Sequence, residues 1–139
     1  MSHFVLDASV TLAWLIDVSI DPYALRVRRL LLKGRKALVP NLWQLEIANG
    51  FVMAERRAIL TATETERILQ NFETVLGNAI QIVQHAIPVG RVVSVARNSG
   101  LTAYDAIYLQ LAQQEQLPIA TLDRRLAHAA KSAGVALVQ

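Results

Sequence analysis

Short apolar runs alternate with longer amphipathic stretches along the whole chain. The runs are too short for helices and do not alternate apolar with polar residues, which predicts strands buried on both faces. The longer stretches repeat apolar residues three and four positions apart, as helices do. Strands are predicted at 3–6, 37–39, 79–83, 118–121 and 135–138, and helices at about 8–16, from 22 to Gly34, after Asn41, from about Thr63, at 87–98, from Thr102, and at 124–133.

This alternation predicts an α/β fold with a mainly parallel sheet of about five short strands, covered by helices on both faces. Two helix starts carry local capping signals. Asn41 has Gln44 three residues later, and Thr63 has Glu66 at the same spacing. The chain has 139 residues, with no repeat and no linker, so we predict a single domain over residues 1–139.

Four acidic residues interrupt these apolar patterns. Asp7 and Asp123 each end an apolar strand, and Glu46 and Asp105 lie inside apolar helical segments. A buried charge is costly unless it is paired or binds a metal, and no Lys or Arg lies within four residues of Asp7, Glu46 or Asp105. Strand ends and the following helix starts meet at one edge of such a sheet. The four carboxylates are therefore expected to converge there on Mg²⁺ or Mn²⁺.

Each carboxylate also has a purely structural explanation. Asp7 and Asp123 could cap the helices that follow them. Asp105 could form a capping box with Thr102, and Glu46 could favour the positive end of its helix. Glu46 is the hardest of the four to explain in this way, because its neighbours on the helix surface are mostly apolar. One shared site explains all four carboxylates at the sheet edge, whereas the structural explanations require four separate coincidences there.

The charge balance points to an anionic partner. The chain has 14 basic and 11 acidic residues, and eleven of the basic residues are arginine. Guanidinium groups match phosphate geometry, so an anionic polymer such as nucleic acid fits as a partner. Arg124 and Arg125, which directly follow Asp123, are candidates for contacting it. A basic surface also simply keeps many proteins dispersed.

Composition excludes several other classes of protein. The chain has no cysteine, which excludes disulfides and thiolate metal sites. No apolar run approaches the roughly 20 residues needed to cross a bilayer. Strand-like sequence begins at His3, which leaves no room for a signal peptide. We therefore predict a cytoplasmic protein without membrane contact.

Four segments, taken in order, resemble the PIN-domain family. Their order and spacing are most similar to VapC-type toxins of bacterial and archaeal toxin–antitoxin pairs, and the resemblance covers essentially the whole chain. It implies a three-layer α/β/α PIN-like fold. The segments are Asp7-Ala8-Ser9, Pro40 followed by Glu46-Ile47-Ala48-Asn49, Leu101-Thr102-Ala103-Tyr104-Asp105-Ala106, and Ala120-Thr121-Leu122-Asp123.

The resemblance implies a Mg²⁺- or Mn²⁺-dependent endoribonuclease that leaves 5′-phosphate and 3′-hydroxyl ends. One or two metal ions are equally compatible with it. It further implies an RNA substrate, a small antitoxin protein as partner, and a homodimer. Carried over by position, the metal-binding and catalytic residues would be Asp7, Glu46, Asp105 and Asp123, with Ser9, Asn49 and Thr121 as polar supports.

Other protein classes fit the chain less well. Aspartate-nucleophile phosphatases need a second acid two residues after the first, where this chain has Ser9. Phospho-accepting receiver domains need paired acids after the first strand, which Asp7-Ala8 does not supply. A non-catalytic PIN-like module that binds RNA or protein remains open beside the favoured ribonuclease.

Overall fold

Four short parallel strands form the central sheet of the computed structural model, which describes residues 3–139. The strand order is β3-β2-β1-β4, so each strand lies beside partners that are distant in sequence. The predicted parallel α/β sheet is confirmed. Its strands are β1 (His3–Leu6), β2 (Lys36–Val39), β3 (Ile80–Ile82) and β4 (Ile119–Ala120).

The predicted fifth strand at 135–138 is wrong. Leu137 forms only an isolated parallel bridge with Ile119. Two backbone hydrogen bonds support this bridge, from Ile119 N to Ala136 O and from Val138 N to Ile119 O. Because β4 is only two residues long, it offers too short an edge for a further strand to pair along.

Seven helices connect and cover the strands, and all seven predicted helices are present among the described residues. The arrangement agrees with a three-layer α/β/α fold. No helix within residues 3–139 is both long and apolar enough to cross a membrane. The helices are α1 (Ala8–Ile16), α2 (Pro22–Leu32), α3 (Leu42–Arg56), α4 (Ala62–Leu76), α5 (Val89–Ser99), α6 (Ala103–Glu115) and α7 (Arg124–Ser132), with a 3₁₀ turn at Gly77–Ala79.

Both predicted capping signals need correction. Asn41 precedes α3 but already has helical backbone angles, and its side chain makes no capping hydrogen bond. The capping box of α4 forms at Thr61 and Glu64, two residues before the predicted pair at Thr63. Glu64 N donates to Thr61 Oγ1 at 3.1 Å, and Thr61 N donates to Glu64 Oε1 at 2.9 Å. Both pairs have the same Thr-x-x-Glu spacing, so the local signal cannot distinguish them.

Close helix packing brings α3 against the start of the chain. A Cβ atom added at Gly50 would lie 2.5 Å from Leu12 Cδ2, so the Leu12 side chain of α1 packs directly on α3 at this glycine. Glu46 lies one turn before Gly50 on α3. This contact therefore helps to bring Glu46 toward the turn between β1 and α1, where Asp7 lies.

Candidate metal centre

Asp7 is a buried carboxylate held by two hydroxyl groups. It directly follows β1, and only 5% of its surface is exposed. Ser9 Oγ donates to Asp7 Oδ2 at 2.6 Å, and Thr121 Oγ1 donates to the same oxygen at 2.7 Å. Asp7 precedes α1, but its side chain makes no capping hydrogen bond. The capping explanation is therefore wrong for Asp7.

The same two hydroxyls join the turn after β1 to the turn after β4. Leu122 N donates to Ser9 Oγ at 3.0 Å, and Asp123 N donates to Thr121 Oγ1 at 3.0 Å. The two strands are parallel neighbours, with Leu6 paired with Ala120. Parallel pairing thus places the residues that follow both strands at one edge of the sheet, and the hydroxyls fix their relative positions.

Asp123 caps the helix that it precedes. Its Oδ1 accepts hydrogen bonds from Arg125 N at 2.8 Å and from Leu126 N at 3.2 Å. The capping explanation is therefore correct for one carboxylate oxygen of Asp123. Oδ2 accepts no hydrogen bond among residues 3–139, so it remains available for a ligand.

Asp105 lies in the first turn of α6. Asp105 N donates to Thr102 Oγ1 at 3.3 Å, and the Thr102 hydroxyl donates in turn to Asp105 Oδ2 at 3.4 Å. Thr102 therefore caps α6 with its own side chain. The Asp105 carboxylate does not complete a capping box within the described residues, because it accepts from the threonine hydroxyl and not from its backbone N–H.

Glu46 reaches the same region from the second turn of α3. The Tyr108 hydroxyl donates to Glu46 Oε1 at 2.5 Å. Tyr108 is fully buried on α6, one turn after Asp105. Sequence reasoning assigned Tyr108 only to the apolar face of its helix. The signal that could have found it is general, since a buried tyrosine usually needs a hydrogen-bond partner for its hydroxyl.

The four carboxylates act on one another electrostatically. Burial raises the pKa of Asp7, and the negative charges of Asp105 and Asp123 raise it further, against the effect of its two hydroxyl donors. Burial likewise raises the pKa of Glu46, the Tyr108 hydroxyl opposes that rise, and Asp7 and Asp105 add to it. Asp7 therefore lies close enough to interact with the other three acids, although they come from separate parts of the chain.

Asp105 also has a raised pKa, and a nearby cation acts on it. Burial is the largest cause of its raised pKa and the charge of Asp123 is the second. The Thr102 hydroxyl and the Arg125 guanidinium act in the opposite direction. Arg125 is exposed, and its charge reaches into the acidic cluster.

The donor set suits a hard divalent cation. It offers only carboxylate oxygens, which Mg²⁺ and Mn²⁺ prefer, and a bound cation would relieve the repulsion that adds to the effect of burial on the pKa values. Within residues 3–139, no three acidic or histidine side chains enclose a ready-made coordination sphere. Mg²⁺ usually takes one or two protein carboxylates and keeps several waters, so a wider cluster of this kind fits it.

The remaining predicted site residues differ in where they lie. Ser9 and Thr121 both contact Asp7. Asn49 is exposed on α3 and makes no side-chain hydrogen bond among the described residues, so the structure does not join it to the carboxylates. Arg124 and Arg125 are exposed in the first turn of α7.

Comparison with known families identifies the fold. The family model of the PIN domain matches residues 4–132. The chain belongs to the PIN-domain family. The residues that surround the acidic cluster all lie inside the matched range, so the cluster is part of this PIN domain. A comparison with proteins of curated function found no significant match.

Solved structures share the architecture of this PIN domain. PAE2754 from Pyrobaculum aerophilum is 26% identical, with a TM-score of 0.68 over 91% of this chain and 84% of that one. FitAcB from Neisseria gonorrhoeae is 19% identical, with a TM-score of 0.66 over 98% of this chain and 96% of that one. FitAB bound to an IR36 DNA fragment is 19% identical, with a TM-score of 0.62 over 97% and 93%.

Proposed function

We propose that this PIN domain, spanning residues 1–139, is a metal-dependent endoribonuclease. The observation that supports the proposal is the electrostatic coupling of Asp7, Glu46 and Asp105, whose pKa values are raised by burial and further by the charges of neighbouring acids, Asp123 among them. PIN domains are generally nucleases, which supports the assignment of hydrolytic chemistry to this cluster. Raised pKa values beside a cleft are characteristic of functional sites.

The carboxylates would bind Mg²⁺ or Mn²⁺ with different degrees of support from their neighbours. Asp7 and Asp105 are the proposed direct ligands. Asp123 and Glu46 would bind a second ion or orient water. Ser9 and Thr121 hold the Asp7 carboxylate in place, so its orientation is fixed before a cation arrives.

A divalent cation in this cluster would supply a Lewis acid for the phosphate and an activated nucleophile at neutral pH. Arg124 and Arg125 lie beside Asp123, where they would attract and position the RNA backbone. Hydrolysis breaks the bond between phosphorus and the 3′ oxygen, so the products would carry 5′-phosphate and 3′-hydroxyl ends.

We also propose that this ribonuclease is the toxin of a toxin–antitoxin pair. The ordered sequence motifs are most similar to VapC-type toxins, and FitAB is a structural neighbour of that type. A small antitoxin protein would then be its partner, and the working form would be a homodimer in the cytoplasm. The basic surface and the carboxylate cluster belong to a single chain. The ribonuclease proposal therefore applies to a monomer as well as to a dimer.

Cleavage of mixed cellular RNA tests the proposed chemistry. We expect the purified protein to produce discrete fragments with Mg²⁺ or Mn²⁺ and none with EDTA. Sequencing of the ends should find 5′-phosphates. Asp105→Asn, purified in the same way, controls for contaminating nuclease and should give no fragments.

Three results would contradict this chemistry. Equal cleavage by the wild type and Asp105→Asn would assign the activity to a contaminant. Fragments ending in 2′,3′-cyclic phosphate would show attack by the RNA's own 2′-hydroxyl. If the protein binds RNA but cuts none under any metal condition, it is a non-catalytic PIN-like binding module.

A further inference from the structure

A basic pocket opens directly beside the acidic cluster. It has a volume of about 370 Å³ and lies between α2, α7 and the C-terminal residues. Thr121 and Asp123 form part of its wall, so the pocket and the candidate metal centre share two residues. Its volume lies within the range of about 300–1,000 Å³ typical of small-molecule sites.

Three cations line this pocket, which we call the flanking pocket. They are Arg26 from α2, and Arg124 and Lys131 from α7. Among the described residues that line it, the single acidic side chain is Asp123, and one oxygen of that carboxylate already accepts two backbone N–H groups. The flanking pocket therefore has an excess of positive charge next to the negative cluster.

Two of these three cations are not used by the fold. Within residues 3–139, Arg124 and Lys131 form no ion pair and donate no side-chain hydrogen bond. Arg26 stacks over the Tyr23 ring at 5.4 Å, and its Nε donates to the Gln139 carbonyl at 3.4 Å. The charges of Arg124 and Lys131 are thus available to an anionic ligand.

Tyr23 gives the flanking pocket a fixed wall. Its hydroxyl donates to the Val138 carbonyl at 2.8 Å, which ties α2 to the C-terminal residues. Its ring supports the Arg26 guanidinium, which limits the movement of that side chain. A cation held in this way loses less conformational freedom when a ligand binds.

The spacing of the cations favours a polymer over a free phosphate. Arg124 and Lys131 are seven residues apart on α7, which corresponds to about 10 Å along the helix axis. Two charges at that separation match successive groups of an extended polyanion better than a single ion. Leu122 and Leu137 line the same pocket, and their apolar surfaces can pack against a base.

We propose that the flanking pocket binds one unpaired nucleotide of an RNA strand, next to the phosphodiester bond at the acidic cluster. This inference rests on the proposed ribonuclease function, because it extends the same site. Arg124 and Lys131 contact the phosphates on either side of the nucleotide, and the apolar wall contacts its base. A base in the pocket cannot remain stacked and paired, so the strand must be single-stranded at that point.

Binding of a fluorescent single-stranded RNA 10-mer, measured by anisotropy in EDTA, tests the pocket without cleavage. We expect Lys131→Gln to weaken binding about 5- to 10-fold and Arg124→Gln/Lys131→Gln to weaken it further. The slope of log Kd against log salt should fall by about one for each cation removed. Lys33→Gln, an exposed lysine at the far end of α2, should change Kd less than 2-fold.

Three competitors identify the ligand. The unlabelled 10-mer should displace the probe, whereas its duplex, inorganic phosphate and polyglutamate of equal charge should displace it poorly. Displacement by the duplex at the same concentration would overturn the requirement for an unpaired nucleotide. Preferential binding of polyglutamate, lost in Lys131→Gln, would assign the pocket to an acidic protein segment and overturn the proposal.

The outcomes separate this inference from the proposed function. If the wild type cleaves RNA but Lys131→Gln and Lys33→Gln bind it equally well, the ribonuclease proposal stands and the flanking pocket is rejected. If Lys131→Gln selectively weakens RNA binding but the wild type cuts no RNA with any metal, the pocket is an RNA site and the ribonuclease proposal fails.

Discussion

Asp7→Asn is expected to unfold at a higher temperature than the wild type in EDTA at neutral pH, while losing RNA cleavage. The buried Asp7 carboxylate has a raised pKa, mainly because of desolvation. Keeping it ionised therefore costs stability. Asparagine removes the charge, and its carbonyl oxygen can accept from both Ser9 and Thr121 as Oδ2 does. We expect a gain of about 1 kcal/mol, or about 3 °C in Tm.

The stability gain should depend on pH in a defined direction. The ordinary pKa of this carboxyl is 3.8, and its folded-state pKa is higher. Between these two values the folded protein holds a proton that the unfolded chain has released, so wild-type stability falls as pH rises through this window. The Tm difference between Asp7→Asn and the wild type should therefore be near zero below pH 3.8. It should reach its maximum above the folded-state pKa.

Thermal unfolding from pH 3.5 to 8 in EDTA, together with RNA cleavage in Mg²⁺, measures both effects. Cleavage should fall by about a thousandfold, which corresponds to about 4 kcal/mol of lost charge stabilisation. Asp17→Asn removes an exposed carboxylate from the end of α1 and should change neither property. If the Tm of Asp7→Asn at neutral pH is below that of the wild type, the ionised Asp7 carboxylate does not lower the stability of the fold, and the prediction is wrong.

Tyr108→Phe should reduce cleavage by about 10- to 100-fold, the usual effect of removing a group that orients a metal ligand. Phenylalanine fills the same buried space, so the change removes only the hydroxyl that donates to Glu46 Oε1. That hydrogen bond lowers the pKa of Glu46. Without it the carboxylate should hold its proton to higher pH, and the acid limb of the pH–rate profile should move upward.

A pH–rate profile for wild type, Tyr108→Phe and Tyr104→Phe separates orientation from general damage. Tyr104 is exposed and hydroxyl removal there should have no effect, because it makes no hydrogen bond among the described residues. A Tyr108→Phe profile that is lowered uniformly, with its acid limb unmoved, would mean that the hydroxyl only stabilises the fold.

The sheet and the helices were predictable because each depends on a short, repeated pattern. Buried parallel strands need apolar runs, and β1 from Phe4 onward and β4 at Ile119–Ala120 have them. The apolar run at 135–138 has the same composition, yet only Leu137 pairs. Whether this run forms a strand depends on the length of its partner strand, β4. That length is not visible in the run itself.

The acids of the candidate site were predictable because a charge in an apolar segment is conspicuous. Their neighbours were harder to predict. Tyr108 fits the apolar face of α6 and forms its decisive hydrogen bond with Glu46, 62 residues away. Asn49 stands three residues after Glu46, but the structure leaves it exposed. A contact between remote elements places Tyr108 in the site, and local spacing does not contain that information.

Direct binding of Mn²⁺ tests most directly whether the four carboxylates form a cation site. The free-ion signal in electron paramagnetic resonance would be followed as protein is added, for the wild type and Asp105→Asn. We predict that the wild type removes one or two equivalents of Mn²⁺ from solution, that Mg²⁺ displaces it, and that Asp105→Asn binds at least tenfold more weakly. A wild type that leaves the free Mn²⁺ signal unchanged, or a variant that binds equally well, would contradict the account.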